Sequence, residues 1–206
     1  MRTLFTGTHC LNPDYIHTPL IELVALDDRH EIHDAIRSLI SSDTLLFTSR
    51  YAVRFWHEAM QEIHHSWGEQ RIVSIGAVTT QTLLELGANH IEQAVKDDSY
   101  GVIEHFKGAP PQGRIVCPRS ERALDILPNG LRQLGITFCP VITYRNRLPL
   151  HPLKVNLTEI DRIIFTSPST IDHFIQLYGS LPPDKTYITR GVITEQYLNQ
   201  RRYEKI

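Results

Sequence analysis

The chain has 206 residues, 41% of them apolar and 21% charged, the balance of an ordinary globular protein with a sizeable core. A net charge of -2 excludes the basic signature of a general nucleic-acid binder, and no apolar run reaches the length of a signal peptide or a transmembrane helix. Three cysteines, Cys10, Cys117 and Cys139, are odd in number and widely spaced. They read as reduced thiols of a cytosolic protein, with Cys117 and Cys139 in apolar, core-like runs.

In chain order, hydrophobic patterning predicts strands at 3–5 and 20–25, a helix at 30–40, a strand at 44–47 and a helix at 52–63. A strand at 72–75, helices at 79–86 and 102–106, a strand at 114–117 and a helix at 123–134 follow. A long strand at 136–144, a strand at 162–165, a helix at 171–178, a strand at 186–188 and a helix at 193–198 complete the series. This alternation predicts an α/β protein with parallel sheets flanked by helices. Gly87, Gly135 and Gly179 each follow an apolar helical stretch, where a left-handed stop favours glycine.

An internal repeat carries more information. Asp43-Thr-Leu-Leu-Phe-Thr-Ser49 matches Asp161-Arg-Ile-Ile-Phe-Thr-Ser167. A second pair follows in the same order: Ile72-Val-Ser-Ile-Gly76-Ala-Val-Thr79 and Tyr187-Ile-Thr-Arg-Gly191-Val-Ile-Thr194. Two copies of one design predict two similar lobes. One is expected at residues 24–142 and the other, discontinuous, at 1–19 plus 146–206, with segments near 18–23 and 140–145 as a two-stranded β connector.

In open α/β sheets ligands bind beyond the carboxyl ends of the strands. Helix N-termini there present free N–H groups and partial positive charge, which suits an anion. Ser49, Thr79, Ser167 and Thr194, with Gly76 and Gly191, are the candidate binding residues. Each hydroxyl also has a plain reading as a helix cap, stabilising by about 1 kcal/mol, and Pro168 suits a first helical position. Tyr144 ends the long strand and is a candidate proton donor or a hinge anchor. The histidines at 30, 33, 57, 64 and 65 show no metal-ligand spacing, so no metal is expected. Dinucleotide, phosphate-loop and nucleophile-elbow motifs are lacking, which points to chemistry without a cofactor.

Five segments together resemble the uroporphyrinogen-III synthase family. They are Leu46-Phe-Thr-Ser-Arg-Tyr-Ala-Val53, Ile75-Gly-Ala-Val-Thr79, the run from Cys117-Pro-Arg119 to Leu134-Gly135, Val141-Ile-Thr-Tyr144 and Ile164-Phe-Thr-Ser-Pro-Ser-Thr170. The resemblance spans about residues 18 to 198. It implies two lobes joined by a two-stranded ladder, with hydroxymethylbilane, a tetrapyrrole bearing eight carboxylates, bound between them. The implied reaction is closure to uroporphyrinogen III with loss of water and inversion of the last pyrrole, in heme biosynthesis, by a cytoplasmic monomer that uses no cofactor. On this resemblance Tyr144 matches a tyrosine that helps the hydroxyl leave, Thr79 and Thr194 match turn threonines, and Ser49 and Ser167 match strand-end serines. The family turn Ile-Gly-Pro-Thr-Thr is here Arg190-Gly-Val-Ile-Thr194, and the lobe built from the chain ends reads as trimmed. Two other readings stay open: a non-catalytic tetrapyrrole-binding module, and a two-lobed binder of another small anion.

Overall fold

The computed structural model describes residues 1–203. Along the chain run β1 (Thr3–Phe5), β2 (Ile16–His17), β3 (Glu22–Ala25), α1 (His30–Arg37), β4 (Thr44–Phe47), α2 (Arg50–Glu62), β5 (Arg71–Ser74) and α3 (Ala77–Glu85). Then come β6 (Ile91–Gln93), α4 (Ser99–Gly108), β7 (Ile115–Ser120), α5 (Ile126–Gln133), β8 (Phe138–Arg147), β9 (Arg162–Phe165), α6 (Pro168–Tyr178), β10 (Thr186–Thr189) and α7 (Val192–Tyr203). The chain divides into two compact units, Met1–Val24 with the residues from Asn146 onward, and Ala25–Arg145.

The continuous unit is organised on the strands β8-β7-β4-β5-β6 of a sheet of order β3-β8-β7-β4-β5-β6. The pairs β4/β5, β4/β7, β5/β6 and β7/β8 are parallel. All four residues of β4 are buried, as expected for a strand covered on both faces, where the sequence reads as an unbroken apolar run. On one face Leu46, Val73, Ile115 and Cys117 pack against Val102 and Phe106 of α4 and Leu127 and Leu131 of α5. Elsewhere in the unit Phe47 meets Trp56 of α2 edge-on, with ring centroids 6.5 Å apart.

The discontinuous unit has a four-stranded parallel sheet of order β10-β9-β1-β2. Its core gathers Leu4, Leu20, Ile163, Phe165, Ile171, Phe174 and Leu198. Phe165 stacks on Tyr187 and meets Phe174 edge-on.

The expected helix stops are present: Gly87, Gly135 and Gly179 have φ of +83°, +72° and +88°. After the first two the chain closes back with Ala88 N–H to the Leu83 carbonyl and Ile136 N–H to the Leu131 carbonyl, the six-to-one bond of a Schellman turn. Several expectations change. The strand expected at 20–25 begins at Glu22, because the Thr18 and Leu20 amides bond instead to the Phe5 and Thr6 carbonyls. Leu20 is thereby buried in the discontinuous unit. The helix expected from 123 starts at Ile126. That at 102–106 extends to Ser99–Gly108, because the Asp98 carboxylate accepts from the Gly101 amide at 2.7 Å and caps it. Cys139 is half-exposed rather than core, in a first half of β8 where no residue from Phe138 to Ile142 is fully buried. Cys117 is fully enclosed, and burial pushes its thiol up to about 12.

Candidate functional site

Two adjacent strands set the site in the continuous unit. The register pairs Thr44 with Arg71 and Phe47 with Ser74, so the turns after β4 and β5 open at the same end of the sheet. Ser49, extended at φ −160°, caps α2 by accepting from the Tyr51 amide at 3.1 Å. Gly76 caps α3, and a Cβ there would stand 2.6 Å from the Cβ of Asp97. The close approach of the loop after β6 therefore fixes this glycine. Thr79 is only 4% exposed. The neighbouring Thr80 holds the turn together, its hydroxyl 2.6 Å from Ser74 Oγ and donating to Gln93 Oε1 at 2.8 Å. The first amides of α3 have no partner within the helix and remain the donors this turn can offer an anion.

Tyr144 reaches its place through an irregularity of pairing. Arg119 of β7 pairs with Ile142 of β8, but the next residue, Ser120, pairs with Tyr144. One extra residue of β8, Thr143, stands between them, as in a β-bulge. Because side chains alternate along a strand, this shift turns Tyr144 to the face it would otherwise avoid. There it stacks on Phe55 of α2, with centroids 5.1 Å apart and planes 17° apart. Tyr144 is 7% exposed. Burial raises its phenol pKa, against a hydrogen bond with Ser49 and the charge of Arg119, which pull it down. The phenol therefore holds its proton at neutral pH. The structure thus brings Ser49 and Tyr144 together, with Gly76 and Thr79 one strand further along the same sheet.

The discontinuous unit repeats the design. Arg162 pairs with Thr186 and Phe165 with Thr189, the offset seen between β4 and β5. Ser167 and Thr170 occupy the two positions of a capping box at the start of α6, with Pro168 in the first turn. Thr170 makes the firmer half: its hydroxyl accepts from the Thr166 and Ser167 amides and donates to the Ser167 carbonyl at 2.6 Å. Ser167 Oγ is buried without a hydrogen bond of good geometry. Gly191 has φ +90° and nothing within 4 Å of a built Cβ, so conformation rather than space requires glycine there. Gly191→Ala is expected to cost about 1–2 kcal/mol of stability through left-handed strain alone, measured as a shift in urea midpoint. Thr194 is 4% exposed, whereas Val192 and Ile193 are 67% and 46% exposed. Arg190, just before the turn, lays its guanidinium 4.9 Å above the Phe5 ring. It lines a cavity of about 430 Å³ with Cys10, Asn12, Pro13 and Tyr15.

Among the described residues no three His, Cys, Asp or Glu side chains are grouped to hold a metal ion. His33 bonds Glu62 and His57 stacks on Trp67. No described helix is long and apolar enough to cross a membrane. Sequence reasoning did not single out Phe55, Thr80, Arg119 or Arg190. The legible signal was strongest for Arg119, a charge that follows the apolar run Ile115–Pro118 within the strand Ile115–Ser120.

Residues 14–206 match the family model described as uroporphyrinogen-III synthase HemD. A Methanothermobacter thermautotrophicus protein, provisionally named uroporphyrinogen-III synthase, is 24% identical over 149 residues; the match covers 67% of this chain and 58% of that relative's length. Among solved structures, uroporphyrinogen-III synthetase from Helicobacter pylori aligns with TM-score 0.66 and 19% identity, over 98% of this chain and 90% of that one. A mutant uroporphyrinogen III synthase from the extreme thermophile Thermus thermophilus gives TM-score 0.64 at 16% identity, covering 98% and 89%. At such identities the structural likeness establishes a shared fold.

Proposed function

Because the chain belongs to the uroporphyrinogen-III synthase family, we propose that it closes hydroxymethylbilane to uroporphyrinogen III, with loss of water and inversion of the terminal pyrrole. The observation that carries this reading is Tyr144: a buried phenol, kept protonated, set by a bulge beside the Ser49 cap at the carboxyl end of its sheet. In the proposed reaction the bond from carbon to the hydroxymethyl oxygen breaks and Tyr144 gives its proton to the departing hydroxyl, which leaves as water. Ring closure releases a proton from the attacked pyrrole, so the phenol is restored and no oxidant or reductant is consumed.

The substrate is a polyanion. Helix N-termini follow β4, β5, β9 and β10 at Ser49, Gly76, Ser167 and Gly191, where the first-turn amides are the donors, the Ser167 amide itself being taken by the Thr170 hydroxyl, and Thr79 and Thr194 are buried in the first turns of their helices. Such donors bind carboxylates without a fixed countercharge. Arg190 adds a cation in the discontinuous unit. The same reading makes the protein a cytosolic enzyme acting as a monomer. A thousandfold preference for the inverted isomer requires roughly 4 kcal/mol of differential transition-state binding.

The test is a ring-closure assay with freshly generated hydroxymethylbilane, followed by oxidation and chromatographic separation of isomers I and III. Dominant isomer III, lost when the protein is heat-inactivated, is the expected outcome. Isomer I alone at the spontaneous rate would refute catalysis and leave a tetrapyrrole-binding module, the reading favoured by Ile193 in place of a turn hydroxyl.

A further inference from the structure

Arginine is almost never buried without a partner, because removing a charge from water is costly unless an opposite charge or several acceptors replace the solvent. Arg119 departs from that rule. It is the penultimate residue of β7, and only 7% of it is exposed. Of the five N–H donors of a guanidinium, one on Nη2 reaches the Leu124 carbonyl at 2.8 Å. Among the described residues no carboxylate stands within ion-pair distance of it. Nε and Nη1 make no hydrogen bond, yet they are not among the buried polar atoms sealed from solvent. The residue is thus enclosed by protein while part of its donor fork still opens outward.

Its location gives that opening a use. The backbone carbonyl of Arg119 accepts from Thr143 Oγ1 at 3.4 Å, which ties it to the bulge that orients Tyr144. The guanidinium is close enough for its charge to act on the Tyr144 phenol. A purely structural role, tethering the turn before α5 through Leu124, calls for a single donor that an amide could supply. It does not call for a full charge held out of water.

We propose that Arg119 is a substrate-binding residue of the Tyr144 site, whose free donors receive one carboxylate of the substrate. The planar fork matches a carboxylate edge in a two-bond arrangement that a lysine cannot reproduce. The ligand class is therefore a carboxylate arm of a polycarboxylated pyrrole, and the assignment rests on the reaction proposed above.

The experiment uses the full chain and two readouts. Binding is measured with uroporphyrin III, a stable octacarboxylate, by quenching of protein fluorescence at several salt concentrations. Turnover is measured as KM and kcat for isomer III formation. For Arg119→Gln, uroporphyrin affinity is expected to fall roughly tenfold to a hundredfold, the loss of one charge-assisted pair, with a shallower salt dependence. KM should rise in proportion while kcat changes less than about threefold, and Arg119→Lys should recover part of the affinity. Wild-type affinity in Arg119→Gln, a kcat loss at unchanged KM, or a loss matched by a lowered Tm and not relieved by lysine would each overturn the assignment. If Arg119→Gln does not fold, Arg119→Lys decides alone: it must bind more weakly than wild type at an unchanged Tm. Binding without isomer III formation would remove the reaction but keep the carboxylate site. Isomer III formation with unaltered KM in Arg119→Gln would do the reverse.

Discussion

Tyr144→Phe should lower kcat for isomer III formation by roughly a hundredfold or more, the usual contribution of a positioned general acid, at a thermal midpoint within a few degrees of wild type. The substitution keeps the ring that stacks on Phe55 and removes only the hydroxyl. The effect therefore separates chemistry from packing. The pH profile gives a second check, with its sign fixed by burial. A proton donor works below its pKa, and burial raises that of Tyr144. The rate should consequently hold its plateau to higher pH than the ordinary phenol value of about 10 allows, as far as the protein stays folded. A rate in Tyr144→Phe equal to wild type would remove the residue from the catalytic machinery.

Trp56→Ala is expected to cost about 3–5 kcal/mol of stability, the range for deleting a fully enclosed aromatic side chain. Trp56 is 0% exposed and heads the largest buried side chains. Its indole Nε1 is buried without a hydrogen-bond partner, an arrangement that itself costs about 1–3 kcal/mol. Trp56→Phe removes the orphaned donor along with part of the volume, so its cost should be less than half that of the alanine variant. Urea unfolding of the three proteins measures both. Equal losses would show that the retained phenyl ring recovers none of the packing. Because Phe55 precedes Trp56 on α2 and stacks on Tyr144, the alanine variant should also lower kcat.

Much of the architecture was readable because it rests on local rules. The strands at 44–47 and 162–165 each end in three consecutive apolar residues, and they emerge with the same offset to their neighbours. The repeat in the sequence is therefore a repeat in register. The glycine stops at 87, 135 and 179 follow from positive φ. β2 and β6 escaped because two residues, or three with Glu92 and Gln93 exposed, carry no hydrophobic period. In the candidate site the residue types were legible but their roles were not. Which of Thr79 and Thr80 ties down the turn depends on Ser74 and Gln93 from two other strands. The bulge at Thr143 leaves no mark in composition, yet it decides which face Tyr144 occupies. Arg119 was visible as a charge at the end of an apolar strand. Its lack of a counter-ion among the described residues became apparent only in three dimensions.

The division of the chain also bears on how the protein is made. Ala25–Arg145 is continuous, so its parallel sheet can assemble while the rest of the chain is still being synthesised. The other sheet cannot. β1 is made before the continuous unit and finds only the two-residue β2 nearby. Its principal neighbour β9 arrives much later; the amide of Arg2 bonds the carboxylate of Asp161, 159 positions away. Until then Leu4 and Phe5, both fully enclosed in the finished protein, are an uncovered apolar strand ahead of the continuous unit. Closing so long a loop is slow, although length adds to its entropic cost only logarithmically. A strand made before the continuous unit thus belongs to the last sheet completed, and chaperone demand should fall on β1.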